Sequence, residues 1–159
     1  MVDGDIIAAI PRGLLVLACA MEGDEARDVE WLASRLTSLR VFPDEHGKMN
    51  RDVRDHHAAH AGVGGAGVLV VSQFTLAADL SPGRSRGNRP SFGRAAAPSL
   101  ACPQLEEFVD RLRAGLPSIP VRTGRFGADM QVELVNDGPV TLWLDSSQPA
   151  GPTGGTVLP

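Results

Sequence analysis

Short, fully apolar runs alternate along this chain with stretches whose apolar residues recur at helical spacing. Leu14-Leu15-Val16-Leu17 is apolar on both faces and predicts a central strand. A preceding strand over Asp5–Ile10 is joined to it by a tight turn marked by Pro11 and Gly13. From Asp24 to about Leu39 the period changes. Val29, Leu32, Ala33, Leu36 and Leu39 fall on one helical face, with Glu25, Arg27, Asp28, Glu30 and Arg35 largely off it. Val68–Val71 is a second buried strand, and Pro103 opens a second helix with Leu105, Phe108, Val109 and Leu112 on one face, stopped by Gly115 and Pro117. Met130–Val135 alternates as a half-buried strand, Gly138-Pro139 turns the chain, and Val140–Leu144 returns as a strand. Strands and helices without strict alternation predict an α+β domain with a strongly curved sheet and packed helices. Ser146–Pro159, rich in proline, glycine and serine, reads as a disordered tail.

Composition narrows the function. With 159 residues the chain makes one domain. Its longest apolar run, Leu14 to Met21, falls far short of the roughly 20 residues of a membrane span. The amino terminus has no basic segment leading into an apolar stretch, and Cys19 and Cys102 lack metal or disulfide spacing. A soluble cytoplasmic protein with reduced thiols and no membrane partner is expected. The net charge of −4 argues against indiscriminate nucleic-acid binding, and no DNA partner is expected. A local basic patch is still allowed. Arg84, Arg86, Arg89 and Arg94 gather in one glycine- and proline-containing stretch, readable as a phosphate contact or as a solvated loop. His56, His57 and His60 could share a helix face, but no HExxH or carboxylate partner accompanies them and Gly62–Gly67 follows. No metal and no cofactor are expected.

The chemistry is concentrated in two blocks. Ser72-Gln73-Phe74-Thr75-Leu76 ends an apolar strand, and Gly124-Arg125-Phe126-Gly127-Ala128-Asp129-Met130 leads into Asn136-Asp137-Gly138-Pro139-Val140-Thr141. Such positions leave backbone groups free for a ligand. Neither block supplies a nucleophile with its base, and no GxSxG occurs. Thr75 is either a nucleophile or, the preferred reading, a strand-end threonine whose hydroxyl bonds locally. A backbone amide in the Ser72–Phe74 turn is the candidate oxyanion donor.

With Gly87-Asn88-Arg89-Pro90-Ser91-Phe92, these blocks closely resemble the D-aminoacyl-tRNA deacylases, from about Val2 to about Asp145. The resemblance implies a barrel-like antiparallel or mixed sheet, a deacylase domain over 1–145 followed by a tail over 146–159, and a homodimer. It implies hydrolysis of the ester of D-aminoacyl-tRNA, and of mischarged glycyl-tRNA. Ser72, Gln73, Phe74 and Thr75 would line the catalytic pocket, with Phe126, Gly127, Ala128 and Met130 as another wall. Gly138-Pro139, cis in the family, would enter the partner's pocket and select chirality by main chain alone, while the tRNA's terminal 2′-hydroxyl activates water. Arg84, Arg86 and Arg89 would meet tRNA phosphates. The family usually begins with an extra strand of about a dozen residues before the Val-Asp-Gly turn, which this sequence enters directly, so an exposed sheet edge is expected. A catalytically impaired RNA-binding member is the alternative.

Overall fold

A computed structural model describes residues 1–81, 89–138 and 140–148. In chain order the elements are β1 (Gly13–Ala18), α1 (Ala26–Thr37), β2 (Phe42–Pro43), β3 (Met49–Arg51), α2 (Val53–Ala59), β4 (Gly67–Ser72), α3 (Pro98–Gly115) and β5 (Val121–Thr123). Short 3-10 turns follow α2 and β4. No helix among the described residues is long and apolar enough to cross a membrane.

The main sheet has the order β1-β4-β5 and is parallel throughout. Leu14 pairs with Val68 and Val16 with Val70, so the period of two sorts both strands identically. Leu14, Val16, Val68 and Val70 turn toward the helices, while Leu15, Leu17, Leu69 and Val71 take the other face. The strands approach closely where β1 begins. A Cβ on Gly13 would lie 1.9 Å from the Gly67 carbonyl oxygen, so only glycine fits there.

The core lies between this sheet and α1 and α3. Val29, Ala33 and Leu36 of α1 meet Phe108, Val109 and Leu112 of α3 over Val68 and Val70. Burial of those stripes holds both helices against the sheet. Asp52 caps α2, accepting from the amides of Arg54 and Asp55. The Arg54 guanidinium donates to the Thr37 carbonyl at 3.0 Å, tying α2 to the end of α1.

Several expectations need correction. The helix predicted from Pro103 begins at Pro98, which takes the helix-start position, and Pro103 lies inside it. β1 is an edge strand, not a central one, because its second side has no strand neighbour among the described residues. The sheet is not a closed barrel: three parallel strands and the separate β2-β3 ribbon make all the ladders described. Asp5–Ile10, Met130–Val135 and Val140–Leu144 have strand-like patterns but join no ladder among the described residues. Several of their apolar residues are exposed, Ile6 at 73%, Leu134 at 60% and Trp143 at 58%. Without an adjacent backbone, a two-fold pattern has nothing to bond to. Of the tail, Ser146–Gln148 are described, and 149–159 lie outside the described residues.

Candidate active site

All three parallel strands end at one edge of the sheet, so the segments after β1, β4 and β5 lie side by side there. In open parallel sheets this carboxyl-end edge is where ligands are received. β4 is central, and its exit is the Ser72–Thr75 block.

That exit is held by main chain. Ser72 sits beside Ala18 in the ladder, and the Gln73 N–H donates to the Ala18 carbonyl at 2.8 Å. The chain then folds into a 3-10 turn, Phe74–Ala77, in which Leu76 N–H donates to the Gln73 carbonyl. The Gln73 amide is therefore occupied. The amides of Phe74 and Thr75, at the start of the turn, have no acceptor among the described residues. The oxyanion donor expected in this block thus narrows to Phe74, with Thr75 beside it.

Side chains complete the picture. Gln73 Nε2 donates to Thr75 Oγ1 at 2.5 Å, one of the two bonds that this hydroxyl oxygen can accept. Phe74 is 59% exposed and meets the edge of Phe92, ring centroids 5.1 Å apart. Phe92 is positioned by the segment that follows it: Glu22 N–H bonds the Arg94 carbonyl, Ala96 N–H bonds the Ala20 carbonyl, and Met21 bridges Ala95. Cys19 Sγ donates to the Ala20 carbonyl at 3.4 Å and approaches the Phe74 carbonyl at 3.8 Å. Burial pushes its thiol above the ordinary value, Asp24 adds to this, and a backbone hydrogen bond at Ala77 opposes it. A raised thiol pKa disfavours the thiolate that nucleophilic chemistry would need. Asp24 is itself raised by burial and by Asp28 and Asp145, against the Met21 N–H that bonds its carboxylate.

After β5, Gly124 N–H bonds the Val70 carbonyl and Gly127, at φ +73°, turns the chain. Phe126 is 37% exposed, Ala128 closes the turn onto the Arg125 carbonyl, and Met130 lies over Gly124 close to Val71. Met130 and Gly138 line a cleft of about 2000 Å³ that β1 and the 131–144 segment enclose. Val71 and Leu76 line it too, whereas Ser72–Thr75, Phe126, Gly127 and Ala128 do not. Of the two predicted walls, then, only Met130 borders this cleft. Gly138 has φ +134°, and its neighbour Pro139 lies outside the described residues, as do Arg84 and Arg86. Arg89 is described and exposed. Phe92 and Cys19 were not singled out as site residues by sequence. Phe92 had a signal, standing in a quoted motif, but Cys19 was hidden in an apolar run.

The histidines are engaged structurally. His57 Nδ1 lies 2.7 Å from the Ala66 carbonyl and 3.0 Å from its amide, and His56 stacks on Phe42 at 4.1 Å.

Comparison with known proteins decides the family. A family model described as D-Tyr-tRNA(Tyr) deacylase matches residues 1–145. The chain belongs to this deacylase family. It is 53% identical to a D-aminoacyl-tRNA deacylase of Ruegeria pomeroyi (strain ATCC 700808 / DSM 15171 / DSS-3), covering 91% of this chain and 90% of that one. A D-aminoacyl-tRNA deacylase of Paracoccus denitrificans (strain Pd 1222) is 52% identical over 94% of this chain and 91% of its own length. Among solved structures, one titled c-Myc DNA Unwinding Element Binding Protein aligns with a TM-score of 0.77 and 36% identity, covering 91% of this chain and 89% of that one. The family assignment thus rests on the family model and on both named relatives, each a D-aminoacyl-tRNA deacylase.

Proposed function

We propose that this chain hydrolyses the ester of D-aminoacyl-tRNA, releasing tRNA and the free D-amino acid. The observation that carries this reading is the family's block Ser72–Thr75 set on the central strand's carboxyl end, with the Phe74 amide unpartnered among the described residues. Water attacks the ester carbonyl, activated by the 2′-hydroxyl of the tRNA's terminal adenosine. Phe74 N–H, with Thr75 beside it, holds the developing oxyanion. The bond from the carbonyl carbon to the ribose oxygen then breaks. No side chain need act as base, consistent with a Cys19 thiol of raised pKa and a Thr75 hydroxyl already engaged by Gln73.

Phe126, Gly127, Ala128 and Met130 form the second wall. Gly138-Pro139 of a partner subunit completes the pocket in a homodimer, its carbonyls admitting the hydrogen of a D-amino acid and blocking an L side chain. Glycine has no side chain to collide, so glycyl-tRNA is a second substrate. Arg84, Arg86 and Arg89 meet phosphates, and the protein works in the cytoplasm. The domain spans 1–145 and the tail 146–159.

One observation favours a second reading, an impaired RNA-binding member. Gly138 is exposed, and the 131–144 segment that carries it joins no ladder among the described residues. Incubating the chain with D-tyrosyl-tRNA and L-tyrosyl-tRNA separates the readings. Release of D-tyrosine alone supports the deacylase, and its loss with a terminal 2′-deoxyadenosine supports the role of the RNA hydroxyl. Binding of both tRNAs without release favours the impaired member.

A further inference from the structure

Two glycines of the turn after β5 are glycine for opposite reasons. Gly127 stands in the left-handed region at φ +73°, with open space where a side chain would go. Gly124 has an ordinary φ but no such space. A Cβ built on it would lie 2.6 Å from Met130 Sδ, 3.6 Å from Met130 Cε and 3.7 Å from Val71 Cγ2. Of these only the contact with the sulfur is impossible, since 3.7 Å is an ordinary van der Waals distance. The backbone cannot withdraw to relieve it, because Gly124 N–H bonds the Val70 carbonyl at 2.8 Å and so continues the β4-β5 ladder. Thr123 pairs with Val70, so Gly124, one residue on, turns to the face of Val71, on the side of the sheet that borders the cleft. Bare backbone there makes a seat, and the Met130 thioether occupies it. Methionine, unbranched and polarisable, suits such a seat. Met130 is half-buried, whereas 131–138 are exposed throughout. The seat therefore holds the last half-buried side chain before the segment that carries Gly138.

We propose that Gly124 is a positioning residue: by lacking a side chain it seats Met130 against the carboxyl end of β5, and through Met130 it shapes the wall offered to the acylated end of the substrate. The second half of this inference rests on the deacylase reading, and the first half stands without it. Glycine is required at 124 for space and not for conformation, so the effect of a methyl group there runs through Met130. The sulfur lies near the free end of a flexible side chain, so that methyl group displaces it at little cost to folding. The wall pays more, because a shift of about 1 Å at a substrate contact is enough to weaken productive binding. A wall that touches the substrate in the ground state and the transition state alike acts on KM and leaves kcat in place.

The test is a double-mutant cycle of Gly124→Ala and Met130→Ala. It is read by the methyl resonances of chains carrying methyl-labelled methionine and by kinetics on D-tyrosyl-tRNA, with urea unfolding as the check that each variant folds. Gly124→Ala moves the Met130 resonance and leaves those of Met21 and Met49 in place. It raises KM about tenfold with kcat within about twofold of the parent. Met130→Ala raises KM by a similar factor, and in its background Gly124→Ala adds less than about twofold, because the sulfur that the methyl group would strike is gone. A Met130 resonance that stays where it was, or losses that multiply in the double variant, overturns the proposal. A fall in kcat at unchanged KM overturns the role in the substrate wall. Should Gly124→Ala alone fail to fold, folding regained in the Met130→Ala background supports the seat, and misfolding in both backgrounds overturns it. Should the parent release no D-tyrosine, the deacylase reading fails, and the resonance decides the seat by itself.

Discussion

At the residue scale, the site separates groups that hold shape from groups that do chemistry. The Thr75 hydroxyl accepts one local bond from Gln73, and its replacement removes no base from the proposed mechanism. Thr75→Ala should lower kcat/KM on D-tyrosyl-tRNA by less than about tenfold, the size of one neutral hydrogen bond. Gly138→Ala should lower it by about a hundredfold or more, because a methyl group there would displace the proposed chirality screen. Complete loss of turnover in a folded Thr75→Ala protein would defeat the substrate-assisted account. His56 gives a separate residue-scale test. Burial holds its pKa below the ordinary 6.5, with His60, Arg12 and Arg51 adding to the effect. The folded state then binds fewer protons than the unfolded one in that window, so stability is present above pH 6.5 and is lost as pH falls toward the folded value. Melting temperature should drop over that range in the parent and drop less in His56→Gln. Equal slopes would show that His56 does not carry the effect.

At the element scale, α1 and α3 are held by narrow apolar stripes. Leu112 is fully buried among α1, α3 and β4, so Leu112→Ala should cost about 3 kcal/mol in urea unfolding. A cost under about 1 kcal/mol would mean that the core collapses around the gap. These helices were legible in the sequence because a period of 3.6 is set within the segment itself, as Val29, Ala33 and Leu36 illustrate. β4 was legible because Val68–Val71 is apolar without interruption. Strand identity elsewhere was not, since a strand is completed by its neighbour. Met130–Val135 carries the right alternation and no ladder among the described residues, and β1 was misread as central because an apolar run does not say how many partners it has. The parallel sense of the sheet was also out of reach, because it is fixed by the crossovers that carry α1 and α3. The Ser72–Thr75 block was found from its motif, but that no described residue accepts from the Phe74 amide emerged only from the hydrogen bonds around it.

At the scale of the whole molecule, one side of the sheet is covered by helices and the other opens onto the cleft. Leu17, Leu134, Leu142 and Trp143 are each more than two-fifths exposed, at 43%, 60%, 48% and 58%. Grouped around one opening, they form a contiguous apolar surface of the kind that soluble monomers seldom leave bare. This has a practical consequence for anyone preparing the protein. It should brighten an environment-sensitive dye such as anilinonaphthalene sulfonate while its circular dichroism remains native. Ammonium sulfate, which strengthens apolar association, should precipitate it early. Detergent below its micelle concentration should keep it dispersed by coating that apolar side.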